Sequence, residues 1–303
     1  MCTIVDMKVF SGSSNKPLAE KISQILKTKV YPVEHHIFPD GEQRVMLSET
    51  VVGDSTVVVQ SMNTPVDQNF VELLLLIDAL KRNGSSEVIV IVPYLGYQRQ
   101  DHVFRSGEAR SLEVVIRSME AVGADKFVLV DPHSIKIPEL FHRSVVHLSA
   151  ISIFAAEIKK LGFLSSDTVL VSPDMGGVRR IAQLSKLLSD MPYASVEKNR
   201  DLVSGDVEAS VIHGDLAKNA IIVDDMISSG GTIKTAAELL SQKGVQRIVV
   251  MATHAIFAKE APEILQNTRA EKVYVSDSVY VPEEKRFDKL VVLSLASDIA
   301  ECI

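Results

Sequence analysis

Short apolar, β-branched runs alternate with stretches of helical periodicity along the whole chain, and this alternation constrains the fold more than any other feature. Strands that are apolar on both faces bury themselves only in a largely parallel sheet covered by helices. In the first half, strands are expected at 8–11, 31–38, 56–60, 88–93, 126–131 and 145–148, with helices at 16–27, 67–82 and 112–122. The second half repeats the scheme with strands at 168–172, 194–197, 220–224, 247–252, 272–275 and 290–294. Helices there are expected at 151–161, 178–188, 232–243 and 262–267, with a short one at the C-terminus. The expected fold is therefore α/β, with two similar halves, 1–149 and 150–294, and residues 295–303 returning to the first. The segments 88–97 and 220–231 each place an apolar strand before a loop, which hints at a duplicated unit. Residues 199–215 are polar with two glycines, and read equally as a mobile lid or a surface hairpin.

Bulk properties set the remaining bounds. A length of 303 residues suits two domains, and 46% hydrophobic with 23% charged residues describes a globular chain. The net charge of −7 removes any general attraction to nucleic acid or an anionic membrane. Any phosphate site must then be a local arrangement of basic groups. Cys2 and Cys302 form no ligand or disulfide pattern, so a reducing cytoplasm is the expected compartment. No signal peptide is read, and the most apolar helical stretch, 70–80, contains Glu72 and Asp78 and is too short to span a bilayer.

The densest chemical signal is Ile221-Ile222-Val223-Asp224-Asp225-Met226-Ile227-Ser228-Ser229-Gly230-Gly231-Thr232-Ile233. An apolar strand ends in two carboxylates, passes through small residues, and enters a helix. Glycines let backbone N–H groups turn toward an anion, and the helix N-terminus adds partial positive charge. Ser228, Ser229, Gly230, Gly231 and Thr232 thus read as a phosphate cradle, with Asp224 and Asp225 placed to accept hydrogen bonds from sugar hydroxyls. Neither a Walker loop nor a dinucleotide fingerprint is present.

Other constellations are weaker alone. Lys198 and Arg200, two residues apart on a strand, point the same way; they suit a polyphosphate or form an ordinary solvated pair. Asp40 and Glu42 sit in a tight turn. Arg99 and Gln100 follow a buried strand and suit a purine edge and phosphates, or a domain-interface salt bridge. His133 stands at a strand's carboxyl end, where a metal ligand or a merely hydrogen-bonded ring fits. Asp174 enters a Pro-Asp-Met-Gly-Gly turn, as a Mg²⁺ ligand or as a helix cap.

Taken in order, these motifs resemble the ribose-phosphate diphosphokinase family, the phosphoribosyl pyrophosphate (PRPP) synthetases. The loop at 223–232 alone resembles any type I phosphoribosyltransferase. The turn at 40–42, the Arg99-Gln100-Asp101 run and the Lys198/Arg200 pair narrow it to the synthetases, and the resemblance also takes in 9–15 and 172–177. The resemblance implies two phosphoribosyltransferase-like domains and transfer of the diphosphoryl group of ATP to the C1 hydroxyl of ribose 5-phosphate, giving PRPP and AMP. It further implies that Asp40, Glu42, Arg99 and Gln100 bind ATP, that His133 and Asp174 serve Mg²⁺, and that Lys198 and Arg200 are catalytic. Asp224, Asp225 and Ser228 to Thr232 would hold ribose 5-phosphate. A homo-oligomer with the nucleotide near a subunit interface is implied too. Competing readings are a PRPP-consuming phosphoribosyltransferase and a non-catalytic regulatory homologue. The sequence departs from bacterial and eukaryotic members after His133, which is followed by Ser134-Ile135-Lys136-Ile137-Pro138, and at Ser228, where aspartate is usual. The run Phe104-Arg105-Ser106-Gly107-Glu108-Ala109 and the second-half loop are instead similar to archaeal-type members.

Overall fold

The computed structural model describes residues 7–103, 105–200 and 207–303; for 198–200 and 207–210 the backbone alone is described. The chain falls into two compact units, Met1–Leu148 with Ser278–Tyr280 and Ser294–Ile303, and Ser149–Asp277 with Val281–Leu293.

The first unit holds β1 (Met7–Ser11), α1 (Lys16–Ile25), β2 (Val30–Tyr31), β3 (Val33–Ile37), β4 (Gln43–Leu47), β5 (Ser55–Val59), α2 (Val66–Arg82), β6 (Glu87–Val92), α3 (Ser111–Ala121), β7 (Lys126–Val130) and β8 (Ser144–Leu148). Its main sheet is parallel, in the order β2-β1-β5-β6-β7-β8, and β3 and β4 form a separate antiparallel ribbon. All five residues of β5 are buried, as a strand covered on both faces requires. Helix α2 presents Leu73, Leu76, Ile77 and Leu80 to the core shared with Val58, Val90 and Phe127, a spacing of one helical face. Asn15 caps α1 through its Oδ1, which accepts the Leu18 N–H at 3.4 Å.

The second unit contains α4 (Ile151–Lys160), β9 (Thr168–Ser172), α5 (Val178–Leu187), β10 (Tyr193–Arg200), β11 (Val207–His213), β12 (Asn219–Ile227), α6 (Gly231–Gln242), β13 (Arg247–Ala255), α7 (Ala261–Gln266), β14 (Lys272–Ser276) and β15 (Leu290–Leu293). The terminal α8 (Ala296–Ala300) packs on α1. The sheet order is β11-β10-β9-β12-β13-β14-β15, parallel except for the antiparallel edge strand β11. Ile233, Ala237 and Leu240 of α6 cover Ile222 and Val250.

Set side by side, the two orders are the same: β2-β1-β5-β6-β7-β8 matches β10-β9-β12-β13-β14-β15. This corrects the duplication read from sequence. The counterpart of β12 is β5, not the strand at 88–93, because position in the sheet and not apolar content defines it. In each unit the order in which strands are added to the sheet reverses between one parallel pair, β1/β5 or β9/β12, and the loops leaving that pair flank a crevice suited to ligands.

In the first unit that crevice is filled by the protein itself. Buried Glu72 accepts the Ser13 N–H at 2.8 Å, the Ser13 hydroxyl at 2.5 Å and the Gln60 amide at 2.8 Å. Gln60 Oε1 accepts the Ser14 hydroxyl at 2.7 Å, and the Ser14 hydroxyl in turn accepts the Ser61 N–H at 2.9 Å. A Cβ on Gly12 would fall 2.3 Å from Gln60 Oε1, so the plug also depends on that glycine. Among the described residues no helix is long and apolar enough to cross a membrane.

Candidate active site

The second unit's corresponding strand ends carry polar groups instead of a plug. Strand β12 was expected to stop at Asp224, but its ladder with β13 pairs Asp224 with Ala252, Met226 with His254 and Ile227 with Ala255. Both strands run long, so the carboxylates lie within the strand and the loop begins only after Ile227. Asp224 and Asp225 are 9% and 7% exposed. Asp224 accepts the Asp225 N–H at 2.8 Å, and Asp225 accepts the Met226 N–H at 3.0 Å. Burial pushes the Asp224 carboxyl well above the ordinary carboxylate range, and the neighbouring Asp225 and Asp174 push the same way. A guanidinium nitrogen of Arg180, on α5, lies 4.0 Å from Asp225.

The cradle residues are adjacent to these carboxylates. Gly230 takes the left-handed conformation, φ +79°, and caps α6. Ser228 is tied by its carbonyl, which accepts the Ala258 N–H at 3.0 Å. Among the described residues, none accepts a hydrogen bond from the backbone N–H of Ser229, Gly230, Gly231 or Thr232. Four backbone donors without a backbone acceptor therefore lie at the positive end of a twelve-residue helix, in the loop that follows two buried carboxylates.

Across the crevice, the loop leaving β9 carries exposed Asp174. Its Oδ1 accepts the Gly177 N–H at 3.1 Å, while the Ser172 hydroxyl donates to the Asp174 carbonyl at 2.7 Å. One oxygen thus closes the turn that starts α5, the capping alternative for this residue. A Cβ on Gly177 would meet Ser172 Oγ at 2.4 Å, which explains the glycine.

Lys198 and Arg200 lie on β10, opposite Ser210 and Val207 of β11, with a bulge between Asn199 and Arg200. Their side chains lie outside the described residues, as does 201–206 of the expected lid or hairpin. The described flanks form an antiparallel pair.

The other expected residues belong to the first unit. Asp40 and Glu42 are exposed in the β3–β4 connection, where Asp40 Oδ1 accepts the Glu42 N–H at 3.2 Å and Gly41 adopts φ +92°. Arg99 and Gln100 are exposed in the loop after β6, which turns at Tyr97, φ +59°. The Tyr97 hydroxyl donates to Asp67, which raises its titration. Exposed His133 follows β7, the neighbouring strand, two residues after Asp131 with φ +35°. His133 and Asp174 stand on different units. Among the described residues no three His, Cys, Asp or Glu side chains form a ready metal cluster.

Two residues escaped the sequence reading. Arg180 was hidden because a cation in the first turn of a helix opposes the helix dipole and carries no motif. Gln98 is 1% exposed and reaches the His133 backbone; its only signal was a polar residue at the end of a buried strand.

Residues 7–123 match the N-terminal domain of ribose phosphate pyrophosphokinase, and residues 187–303 match the phosphoribosyl synthetase-associated domain. The ribose-phosphate pyrophosphokinase of Fusobacterium nucleatum is 35% identical over 303 residues, covering 100% of this chain and 96% of the relative. The chain belongs to the ribose-phosphate pyrophosphokinase family. Ribose-phosphate pyrophosphokinase 1 of Streptococcus agalactiae is 36% identical over 300 residues, 98% of this chain and 93% of the relative. Among solved structures, the phosphoribosylpyrophosphate synthetase of Mycobacterium smegmatis aligns with a TM-score of 0.92 at 33% identity, covering 98% and 97% of the two chains. Membership in the pyrophosphokinase family agrees with the resemblance carried by the motifs, and with a two-domain phosphoribosyltransferase-type α/β fold.

Proposed function

We propose that this chain is a ribose-phosphate diphosphokinase, transferring the β,γ-diphosphoryl group of ATP to the C1 hydroxyl of ribose 5-phosphate to give PRPP and AMP. The observation that carries the reading is the loop after β12: four unpaired backbone N–H groups around a left-handed glycine cap, following a buried carboxylate pair. The 5-phosphate would sit on Ser228 to Thr232, and Asp224 and Asp225 would orient the ring hydroxyls. This leaves the C1 hydroxyl aimed out of the crevice for in-line attack at phosphorus. Catalysis is then positioning plus electrostatics, with no covalent intermediate. Lys198 and Arg200 would neutralise the charge that develops on the transferred group. Asp40, Glu42, Arg99 and Gln100 would bind ATP.

The donor set fits a hard dication. Asp174 offers hard carboxylate oxygens beside Asp224, whose ionisation burial disfavours most and the charges of Asp225 and Asp174 disfavour further. Asp174 and His133 are the residues proposed to serve Mg²⁺. When bound, Mg²⁺ would offset phosphate charge. Use of Mg²⁺, a cytoplasmic location and a homo-oligomer with its nucleotide near a subunit boundary belong to the same proposal.

The test is incubation of the purified chain with ATP, Mg²⁺ and ribose 5-phosphate, scoring AMP and PRPP. Lys198→Ala should lower the rate about a hundredfold or more if its charge meets the transition state. Neither product from the wild type would favour a PRPP-consuming transferase; an unchanged rate in Lys198→Ala would favour a non-catalytic role for β10.

A further inference from the structure

Two neighbouring strand-end loops of the first unit are tied together by a residue that carries none of the expected roles. Gln98 Oε1 accepts the backbone N–H of His133 at 2.9 Å, across 35 residues of sequence. Gln98 is 1% exposed between partly buried Tyr97 and exposed Arg99 and Gln100, so the chain turns this one polar side chain inward. Its Nε2 is buried with no hydrogen-bond partner among the described residues. A native interior tolerates such an orphan donor only where something else requires the group.

The backbone on both sides of the bond is strained. Tyr97 has φ +59° and Asp131 φ +35°, left-handed values for residues bearing a Cβ, one in each loop. Such outliers persist where the surroundings over-determine them, and they concentrate at binding sites. Past Gln98 and His133 the same two segments run on into residues that line a cleft of about 650 Å³, Asp101 and His102 from one and Ser134 and Lys136 from the other.

We infer that Gln98 is a positioning residue for the nucleotide: its carbonyl holds the His133 loop at a fixed distance from Arg99 and Gln100. A buried side-chain-to-backbone bond suits this task, because it fixes the loop's path without engaging the His133 ring. The orphan amide is the cost of using an amide where only an acceptor is needed. The inference rests on the proposed function and deepens it.

Gln98→Met keeps the volume and removes the acceptor, and Gln98→Leu is a second apolar replacement should the first fold poorly. Gln98→Glu keeps an acceptor oxygen. Two readouts are taken: amide exchange over 131–136, and KM for ATP against KM for ribose 5-phosphate. In the apolar variants exchange should accelerate about tenfold and KM for ATP should rise about tenfold, equivalent to about 1.4 kcal/mol, with KM for ribose 5-phosphate unchanged. Gln98→Glu should restore both. Unchanged exchange in the apolar variants overturns the tie. Faster exchange with an unmoved KM for ATP, or an equal rise for both substrates, reduces the residue to a structural brace and also overturns the inference. A wild type that neither binds ATP nor forms AMP overturns the proposed function and this role together, an outcome distinct from an active wild type with indifferent variants.

Discussion

Replacing Gly230 by alanine separates the backbone demand of the cradle from its packing. Gly230 sits at φ +79°, and an added Cβ would lie 3.4 Å from Ile264 Cγ2, 3.5 Å from Leu265 Cγ and 3.6 Å from the Ala261 carbonyl. Those are ordinary contacts, so the penalty is conformational: about 1–2 kcal/mol for a left-handed L-residue. At roughly 2–4 °C per kcal/mol for a domain of this size, the melting temperature should fall by about 2–8 °C. Gly231, the first residue of α6, has only Ser229 Oγ at 3.7 Å from a built Cβ and no positive φ. There alanine should be neutral or stabilising, by up to about 1 kcal/mol. Both methyl groups crowd an anion at the helix N-terminus, so both should raise KM for ribose 5-phosphate. Calorimetry of the two variants, with steady-state kinetics, checks the pair. Equal melting temperatures for Gly230→Ala and Gly231→Ala would refute the requirement for a left-handed cap.

Asp224→Asn tests the carboxyl cluster by pH. The folded chain holds a proton on Asp224 that the unfolded chain releases, so wild-type stability falls as pH rises from the ordinary carboxylate range through the raised titration. Each pH unit of displacement is worth about 1.4 kcal/mol. The variant's thermal advantage should therefore grow from pH 4 to pH 8 while activity drops; an advantage that shrinks with pH would contradict the cause assigned. Glu72→Ala should cost about 2–3 kcal/mol in urea unfolding, because it strands the buried Gln60 amide and removes the acceptor of Ser13. A loss under about 1 kcal/mol would mean the network is satisfied by water instead.

The strands and helices of both main sheets were legible because their burial is a property of short windows. Helix α2 shows its core face in Leu73, Leu76, Ile77 and Leu80, whatever it packs against. The polar ribbons were not. The expected strand 31–38 breaks at Pro32, which has no N–H for a ladder, and β3 leaves the main sheet to pair with β4. Strand β4, Gln43–Leu47, is only half-buried and carries too little apolar signal. The cradle and carboxylates were legible because they are consecutive in sequence. Arg180 and Gln98 act on Asp225 and His133, far along the chain, and no local pattern encodes such reach. The register of the duplication failed similarly: β6 reads more like β12 than β5 does, and only sheet order tells them apart.

The Glu72 plug bears on how two related halves came to differ. Reopening the first crevice would take concerted change, since removing Glu72 leaves Gln60 in place and removing Gln60 leaves Glu72 held by Ser13. Each intermediate loses hydrogen bonds before any ligand could replace them. The specialisation of the halves is therefore a ratchet: drift can embellish the sealed copy, but no single substitution turns it back into a second workshop.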